Sequence, residues 1–593
     1  MAGKTTSKKK KRKAVPERAD VKKSATKKST TQKATTQKPR AKNPSQKNSA
    51  TKKQSLKEFV QENSASTDSA SRFSFAALFP ESGQLLAAIA GGVTLGLACP
   101  GFEQWYLAWV GLAPLFLLLA IDQSSWKRTQ IGFVYGLAYN LTYLHWYLGL
   151  APLDWLGFHG IMGNFLAAFA WLFCATHQAL AFAVFALIAG KIPMSGSFTF
   201  KKVGDSLRLP ALLCLPLLWV LVVNRLCNAQ DLMGVPWTQL EYTQYKQTFI
   251  LQAASLFGGI GVSALIVLVN VTVASLIATF KKKGLSFDPL KALSKEAAYY
   301  HCLATALIVG AFAALGMWQS DIARKQSTAP QSPVAIVQAG INIDMQKSKH
   351  DYSLTELTNF YDKLLANCKN EICIMTEGAL PTYLREQPST QKWLSEEARS
   401  KGLDMVVGSM DRDTVGHPYN SAYGITSSGT ILPQVYHKRY LVPFGEYTPL
   451  LVEYFPEWIK RWTNTPAGGG FSSGKEAISF AFAAGKIAPL ICFECISPEQ
   501  TARSCREGGQ LLVNISDLAW FHKSDCGLQM VAFSVLRAIE NRRYFVFAAN
   551  TGPSAVIDTT GKITKYCPQG GEAVVKGKVG FNPHTSFFSQ WYR

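Results

Sequence analysis

The sequence of 593 residues is short of acidic residues, with 39 Asp and Glu against 62 Lys and Arg and a net charge of +23. The shortage is local, because residues 1–58 hold 20 basic and three acidic residues, which leaves about +6 for the other 535. This segment also contains almost no apolar residues, so it cannot bury enough surface to repay the entropy of ordering. We predict a disordered basic tail over residues 1–80 and expect no specific nucleic-acid partner.

Paired cysteines are equally scarce. Cys492 and Cys495 form one C-x-x-C pair with no second pair and no nearby pair of histidines, which argues against structural zinc. A redox role would need a thioredoxin-like βαβ context. Two interpretations of Cys492 remain, a core residue or a nucleophile at a strand end, and we expect neither a metal nor a cofactor.

A removable signal peptide is not indicated, because the first apolar run begins about 80 residues in and lacks a small-residue cleavage site. Apolar runs are plentiful after it, and a spanning helix needs roughly 20 mostly apolar residues. Seven segments qualify as candidate spans: 83–100, 104–122, 129–150, 160–190, 209–225, 249–280 and 300–318. We therefore predict a multi-pass α-helical membrane domain over residues 81–320.

The connectors between these spans indicate the orientation. Connectors after the second, fourth and sixth spans hold two, four and five basic residues, whereas the odd-numbered ones hold none, none and two. By the positive-inside rule, the even connectors and the basic tail are cytoplasmic. Seven spans then place everything after residue 318 on the far side of the membrane.

The remainder of the chain has the pattern of an α/β domain. Short apolar runs without clean alternation predict strands buried on both faces, and amphipathic stretches at 353–367, 391–401, 498–508 and 525–543 predict helices. The predicted strands are Val334–Gln338, Ile372–Met375, Asp404–Ser409, Tyr419–Thr426, Lys486–Cys492, Gln510–Ile515, Tyr544–Ala549 and Ser554–Asp558. We predict an extracytoplasmic catalytic domain over 330–580, followed by a C-terminal tail over 581–593.

Three reactive side chains lie near the ends of apolar runs: Glu377, Lys438 and Cys492. A thiol that attacks a carbonyl needs a base for its proton and a positive group for the developing oxyanion. A helix with Ser497 as N-cap and Pro498 at its first position would add a dipole end that favours the thiolate.

Lys438 lies in H-K-R-Y-L-V-P-F-G-E, Cys492 is the first residue of C-F-E, and Glu377 follows an apolar run. The membrane half contains G-V-P-W-T-Q-L-E-Y-T-Q at 234–244. These motifs resemble those of the apolipoprotein N-acyltransferase family of the nitrilase (carbon–nitrogen hydrolase) superfamily, in which the membrane segment reads G-x-P-W-x-x-L-x-Y-x-Q. The resemblance extends over roughly residues 80–590 and implies a nitrilase-like α-β-β-α sandwich behind the membrane domain.

The resemblance also implies roles. Glu377 would accept protons, Lys438 would stabilise the tetrahedral intermediate and Cys492 would be the nucleophile. The supporting residues would be the acids Glu446 and Glu494 and the amide Asn420, and Trp237 would lie beside the substrate entrance.

Three features depart from the family pattern. Phe493 replaces the usual Tyr after the nucleophile, and Asp517-Leu518 replaces the usual Asn-Asp before Ala-Trp-Phe. No eighth apolar run precedes Arg593.

The function implied is transfer of a fatty acyl chain from a phospholipid, through a Cys thioester, to the N-terminal amine of a diacylglyceryl-prolipoprotein. The resemblance implies the bacterial inner membrane, with the catalytic domain on the periplasmic side and the tail in the cytoplasm, where it could bind anionic lipid. Two alternatives are a membrane-tethered amide hydrolase and an inactive tether or transporter. Retention of Glu377, Lys438 and Cys492 argues against the second.

Overall fold

The computed structural model describes residues 79–154, 158–192, 197–199, 208–228, 235–280, 295–327, 330–341, 354–443, 445–447 and 470–592. The predicted basic tail lies outside the described residues apart from its last two positions. The described residues belong to one compact unit of the chain.

The described part of the first half is helical. Its helices are α1 Ser82–Gly96, α2 Ala108–Gly111, α3 Ala113–Ala120, α4 Ser125–Tyr143, α5 Ile161–Ala189, α6 Ala211–Trp219, α7 Arg225–Asn228, α8 Thr248–Leu251, α9 Ala254–Phe257, α10 Gly259–Phe280 and α11 Lys295–Ser327. A short antiparallel pair, β1 Ser197–Thr199 and β2 Arg208–Pro210, interrupts them.

Three described helices are long and apolar enough to cross a membrane: Ile161–Ala189, Gly259–Thr279 and Lys295–Gln326. Other apolar helical stretches are shorter, at Ser82–Gly96, Trp105–Ala120, Leu212–Asn228 and Thr248–Phe257. The count of seven spans therefore stays a prediction, whereas the multi-pass helical membrane domain is confirmed.

A buried amide pairs with main-chain groups at the break between α2 and α3. Asn270 of α10 accepts hydrogen bonds from the main-chain N–H groups of Leu112 and Ala113, each at 2.9 Å, and donates to the carbonyl of Ala108 at 2.9 Å. These groups lie at the junction of α2 and α3, where helix ends leave polar groups unpaired. A buried unpaired amide is costly, so Asn270 stabilises the junction.

The second half contains two sheets. The strands are β3 Gln331–Gln338, β4 Ile372–Met375, β5 Leu380–Tyr383, β6 Asp404–Arg412, β7 Pro418–Ile425, β8 Ile431–His437, β9 Phe480–Phe482, β10 Gly485–Ile491, β11 Leu511–Ser516, β12 Tyr544–Ala549, β13 Ser554–Ile557, β14 Ile563–Cys567 and β15 Ala573–Gly580. The helices are α12 Leu354–Leu365, α13 Pro388–Lys401, α14 Pro498–Arg506, α15 Cys526–Asn541 and α16 Phe587–Trp591.

The strand order is β15-β3-β4-β6-β7-β8 in the first sheet, with β5 beside β6, and β14-β13-β12-β11-β10-β9 in the second. The central strands run parallel in both sheets, β3 with β4 and β6, and β10 with β11 and β12. Parallel neighbours place their carboxyl ends at one edge of a sheet, where sites of α/β proteins form.

The two sheets pack face to face between helices. One core joins Ile336 and Ile374 of the first sheet to Val513 and Val546 of the second. A second core packs the first sheet against α12 and α13, and a third joins the second sheet and α15 to the membrane-half helices. This is the α-β-β-α sandwich that was predicted.

All eight predicted strands and four predicted helices are present, with ends shifted by a few residues. The continuous apolar strands are those buried along their whole length, such as β4, β11 and β12. Strands β5, β8, β9, β14 and β15 were not predicted. Strands such as β14 and β15 lie at sheet edges and carry exposed residues, so their sequences lack a long apolar run.

Candidate active site

Cys492 lies immediately after β10, at the first residue of the 3₁₀ turn Cys492–Ile496. Its φ of +51° is a left-handed conformation that non-glycine residues rarely adopt, and such residues concentrate at functional sites. Strand β10 ends just before Cys492, and this residue as a whole is half-buried, whereas Ile491 and Phe493 on either side are buried.

The carboxylate of Glu494 holds this turn in place. One oxygen accepts from the main-chain N–H of Ile491 at 2.7 Å and the hydroxyl of Tyr436 at 2.6 Å. The other accepts from the main-chain N–H groups of Arg439 and Tyr440, at 2.7 and 3.1 Å. Glu494 therefore ties the turn that carries the thiol to the segment that follows Lys438.

Lys438 follows β8 and places its ammonium between two carboxylates. Nζ lies 2.8 Å from Oε1 of Glu446 and 3.4 Å from Oε1 of Glu377. The lysine side chain is 1% exposed. Burial alone would lower the pKa of Lys438, but the two carboxylates outweigh it and hold the pKa above its ordinary value. The group is therefore a permanent cation.

Asn420 of β7 bridges the same two acids. Its Nδ2 donates to Glu377 at 2.7 Å and to Glu446 at 3.0 Å. The other oxygen of Glu377 accepts from the main-chain N–H of Asp517 at 2.7 Å. Both carboxylate oxygens of Glu377 are thus fixed, and burial raises its pKa although Lys438 acts in the opposite direction.

The surroundings of Cys492 favour the protonated thiol over the thiolate. Burial raises the pKa of Cys492 well above its ordinary value, the charge of Glu377 raises it further, and Lys438 only partly offsets both. Helix α14 does begin as predicted, with Ser497 as N-cap to the N–H of Gln500. The effect of its dipole end on the thiol stays a prediction, and burial and the charge of Glu377 act in the opposite direction. A base that removes the proton during reaction is required.

Cys495 has a different environment. It is fully buried, interacts with Ser534 and Arg537 of α15, and burial raises its pKa to about 12. Both cysteines are free thiols. This arrangement favours the core interpretation for Cys495, and the role of Cys492 as the nucleophile stays a prediction.

Trp237 is 3% exposed and belongs to an aromatic cluster that includes Phe493, the neighbour of Cys492. Its ring centroid lies 4.6 Å from that of Trp146, 5.0 Å from that of Phe533 and 6.1 Å from that of Phe493. Phe493 also stacks on Tyr440 at 5.1 Å. The cluster joins side chains of the membrane half to the residue next to Cys492, and the role of Trp237 at an entrance stays a prediction.

Two contributors to the site were not found from the sequence. Gln529 of α15 accepts the indole N–H of Trp237 and donates to the carbonyls of Pro100 and Tyr143, at 3.1 and 3.2 Å. Asp517 contributes a main-chain N–H. Gln529 is a buried polar residue in a helix whose buried residues are mostly apolar, and a polar residue within such an apolar stretch is a signal that could have identified it.

Two protein families match successive parts of this chain. The Apolipoprotein N-acyltransferase N-terminal domain matches residues 91–272, and the Carbon-nitrogen hydrolase family matches residues 333–582. Among solved structures, Saccharomyces cerevisiae Nit3, a member of branch 10 of the nitrilase superfamily, aligns with 42% of this chain and 90% of its own, at 18% identity and a TM-score of 0.32.

Curated relatives cover both halves. An apolipoprotein N-acyltransferase of Geobacter metallireducens is 31% identical over 520 residues, which are 85% of this chain and 91% of the relative. One of Nostoc sp. is 29% identical over 79% of this chain and 88% of the relative, and one of Vibrio parahaemolyticus is 25% identical over 85% and 93%. With a helical membrane domain, a nitrilase-like domain and relatives of this kind along most of its length, the chain belongs to the apolipoprotein N-acyltransferase family.

Proposed function

We propose that this protein transfers a fatty acyl chain from a phospholipid to the N-terminal amine of a diacylglyceryl-cysteine lipoprotein, through a thioester on Cys492. The observation that carries the proposal is the ammonium of Lys438, fixed between Glu377 and Glu446 at 3.4 and 2.8 Å. Its charge lowers the pKa of the Cys492 thiol at the end of β10, against the larger effect of burial. The names of the relatives supply the class of acceptor.

The first half-reaction forms the thioester. Glu377 takes the proton from Cys492 as sulfur attacks the ester carbonyl of the phospholipid. The negative charge that develops on the carbonyl oxygen is stabilised by Lys438, a buried cation that needs no reorganisation. When the ester C–O bond breaks, Glu377 returns the proton to the departing alkoxide, and a lysophospholipid leaves.

The second half-reaction consumes the thioester. The lipoprotein amine attacks the thioester carbonyl, Glu377 accepts a proton from its nitrogen, and Lys438 again stabilises the oxyanion. The C–S bond then breaks, the thiolate recovers the proton from Glu377, and an amide is released. Two half-reactions at one thiol predict ping-pong kinetics.

The membrane half fits lipid substrates. The aromatic cluster around Trp237 brings membrane-half side chains to within ring contact of Phe493, the neighbour of Cys492. Both substrates carry acyl chains, so a site joined to membrane helices can meet them at the bilayer. We place the protein in a bacterial inner membrane, with the catalytic domain on the periplasmic side and the basic tail on the anionic lipid of the cytoplasmic face.

The test uses purified full chain in detergent with phospholipid and a synthetic peptide that begins with S-diacylglyceryl-cysteine. We expect the peptide to gain one acyl chain on its free amine, whereas the same peptide with an acetylated N-terminus gains none. Cys492→Ala should abolish the gain. Release of free fatty acid with an unmodified peptide would contradict the proposal and indicate a hydrolase.

A further inference from the structure

Helix α16, near the end of the chain, lies against the membrane half where α9 passes into α10. The indole N–H of Trp591 donates to the carbonyl of Leu256 at 2.9 Å. Gly258 has a φ of +70°, and a Cβ built on it would come within 2.8 Å of a ring carbon of Phe588. Phe588 is fully buried. These contacts fix α16 beside the first turn of α10.

The junction of α9 and α10 lies at the end of two helices that are long and apolar enough to cross a membrane. The first of them, α10, begins at Gly259, whose N–H donates to Glu540 of the nitrilase-like domain at 2.9 Å. On the second, α11, the side chain of Gln319 accepts from the hydroxyl of Ser255 in α9 at 3.0 Å. Asp321 follows two residues later and is charged. Helix α9 therefore lies at the membrane surface that faces the nitrilase-like domain.

Large aromatic side chains are exposed at this level. Phe587 is 58% and Trp591 is 42% exposed, and a spacing of four residues places them on one face of α16. Phe257 of α9 and Trp318 of α11 are exposed as well. Tryptophan is enriched where a membrane meets water, and phenylalanine and tryptophan form the apolar face of helices that lie in that region.

We propose that α16 is an interfacial anchor, in which the rings of Phe587 and Trp591 lie among the headgroups and upper acyl chains of a phospholipid bilayer. The indole N–H of Trp591 is already bonded to a carbonyl, so this ring can leave water without an unpaired polar group. Arg506 of α14 donates to the carbonyl of Ser589 at 2.8 Å, which also fixes α16 to the nitrilase-like domain. The anchor thus holds that domain at the bilayer surface.

Continuity with the membrane half favours a bilayer over a second protein as the partner of this face. Helix α11 carries exposed apolar side chains along the stretch that is long enough to span, including Leu307 and Met317, and only 11% of this stretch is buried within the protein. Phe257 joins the two surfaces, because its ring lies 5.8 Å from that of Phe312 in α11. Lipid that covers α11 therefore reaches the face of α16 as well.

Photocrosslinking tests the partner directly. The full chain, with photoreactive p-benzoylphenylalanine in place of Phe587, is placed in nanodiscs of phosphatidylethanolamine and phosphatidylglycerol, irradiated and analysed by intact mass. We expect a phospholipid adduct, as with the same residue in place of Leu307 in α11. In place of Val415, which is 79% exposed in the nitrilase-like domain, it should give at least about tenfold less adduct, because that position lies beyond the headgroup region.

Tryptophan fluorescence gives a second, independent measurement. The signal of Trp591 is the difference between the unsubstituted protein and Trp591→Phe, which keeps an aromatic ring. We expect phospholipids brominated near the carbonyl end of the acyl chain to quench this signal more than phospholipids brominated near the methyl end. The matched difference for Trp393→Phe, in α13 on the first sheet, should show no quenching by either lipid.

The inference is overturned if position 587 gives no lipid adduct while position 307 does, or if its adduct is a second copy of the chain. It is also overturned if the Trp591 signal is no more quenched than that of Trp393. Neither measurement requires acyl transfer. A lipid adduct at position 587 in a protein without transfer activity would support the anchor and contradict only the proposed function.

Discussion

Lys438 is the residue on which the chemistry of the site depends most. Its ammonium contacts Glu377 and Glu446, both of which are also bound by Asn420. A buried carboxylate is costly without a partner, so the lysine stabilises the resting structure in addition to the role proposed for it at the oxyanion. Its removal should therefore affect both rate and stability.

Lys438→Met removes the ammonium and leaves Glu377 and Glu446 together without a cation. We expect acylation of Cys492 to slow by about 10²–10³-fold, the typical loss when one oxyanion stabiliser is removed. The thermal midpoint should fall too, since breaking one side of a buried ion pair costs about 3–5 kcal/mol. Lys486→Met, at an exposed position on β10, is the matched control and should change neither. An undiminished acylation rate in Lys438→Met would refute the role of the ammonium.

The two cysteines of the C-x-x-C pair should behave differently. Cys495→Ala removes a buried sulfur from the core and should cost about 1 kcal/mol of stability, with acylation at close to the wild-type rate. Cys492→Ser keeps a nucleophile of much higher pKa, so any adduct should form slowly and persist when acceptor peptide is added. Adduct formation and discharge are followed by mass spectrometry in both variants. If Cys495→Ala were as inactive as Cys492→Ser, the single-nucleophile mechanism would be wrong and a C-x-x-C mechanism would return.

At the scale of elements, the turn after β10 depends on one acid. Glu494 accepts four hydrogen bonds, three from main-chain N–H groups and one from Tyr436. Because the turn contains Cys492 in a left-handed conformation, these bonds hold the thiol in a geometry that the backbone does not favour by itself.

Glu494→Gln keeps the size of the side chain but turns one acceptor oxygen into an N–H₂ donor. Each carboxylate oxygen of Glu494 accepts from two donors, so in either orientation the N–H₂ group of the Gln faces two donors and cannot accept from them. Each buried group left unpaired costs about 1–3 kcal/mol. We expect a lower thermal midpoint and slower alkylation of Cys492 by iodoacetamide. Glu499→Gln, at an exposed position in α14, should match the wild type in both measurements. Wild-type stability and reactivity in Glu494→Gln would show that the turn holds its shape without this acid.

The strands show how much of the fold could be predicted from the sequence. Strands β4, β11 and β12 were predictable because burial on both faces leaves an unbroken apolar run. Strand β8 was not predictable, although it leads directly to Lys438. Burial along Ile431–His437 follows neither an unbroken run nor a period of two.

The residues of the site also differ in how far the sequence could predict them. The motif residues Glu377, Lys438 and Cys492 were identified from their flanking sequence, but the bond from Asp517 to Glu377 joins positions 140 apart and leaves no local pattern. The raised pKa of Cys492 could not be predicted from the sequence for a related reason. Burial and the charge of Glu377, which raise this pKa, are properties of the folded environment, not of the sequence next to Cys492.

At the scale of the whole molecule, buried hydrogen bonds join the nitrilase-like domain to the membrane half. Arg542, at the end of α15, donates to Gln252 and Ser255 of the α8–α9 region and to Gln319 of α11. Glu540 accepts from the N–H of Gly259 at the start of α10 at 2.9 Å. Because bonds buried at such a junction are costly to break, the two halves are expected to move together.

The proposed orientation gives a topology prediction. We expect Val415→Cys, at a position 79% exposed in the catalytic domain, to react with a membrane-impermeant thiol reagent in intact spheroplasts. Lys191→Cys, in the basic connector after α5, should react only after permeabilisation. The unsubstituted protein gives the background from its own thiols. The reverse pattern would place catalysis in the cytoplasm and contradict the count of seven spans.

The central claim is that Cys492 carries the acyl chain, and intact mass tests it most directly. Purified full-length protein is incubated with a phospholipid of known acyl chains and no acceptor, and is then digested with trypsin. The account predicts one acyl chain per protein, located by fragmentation on Cys492 rather than Cys495 within the peptide 487–503, removed by neutral hydroxylamine and absent from Glu377→Gln. Absence of an adduct in the unsubstituted protein, or an acyl chain on any other residue, would contradict it.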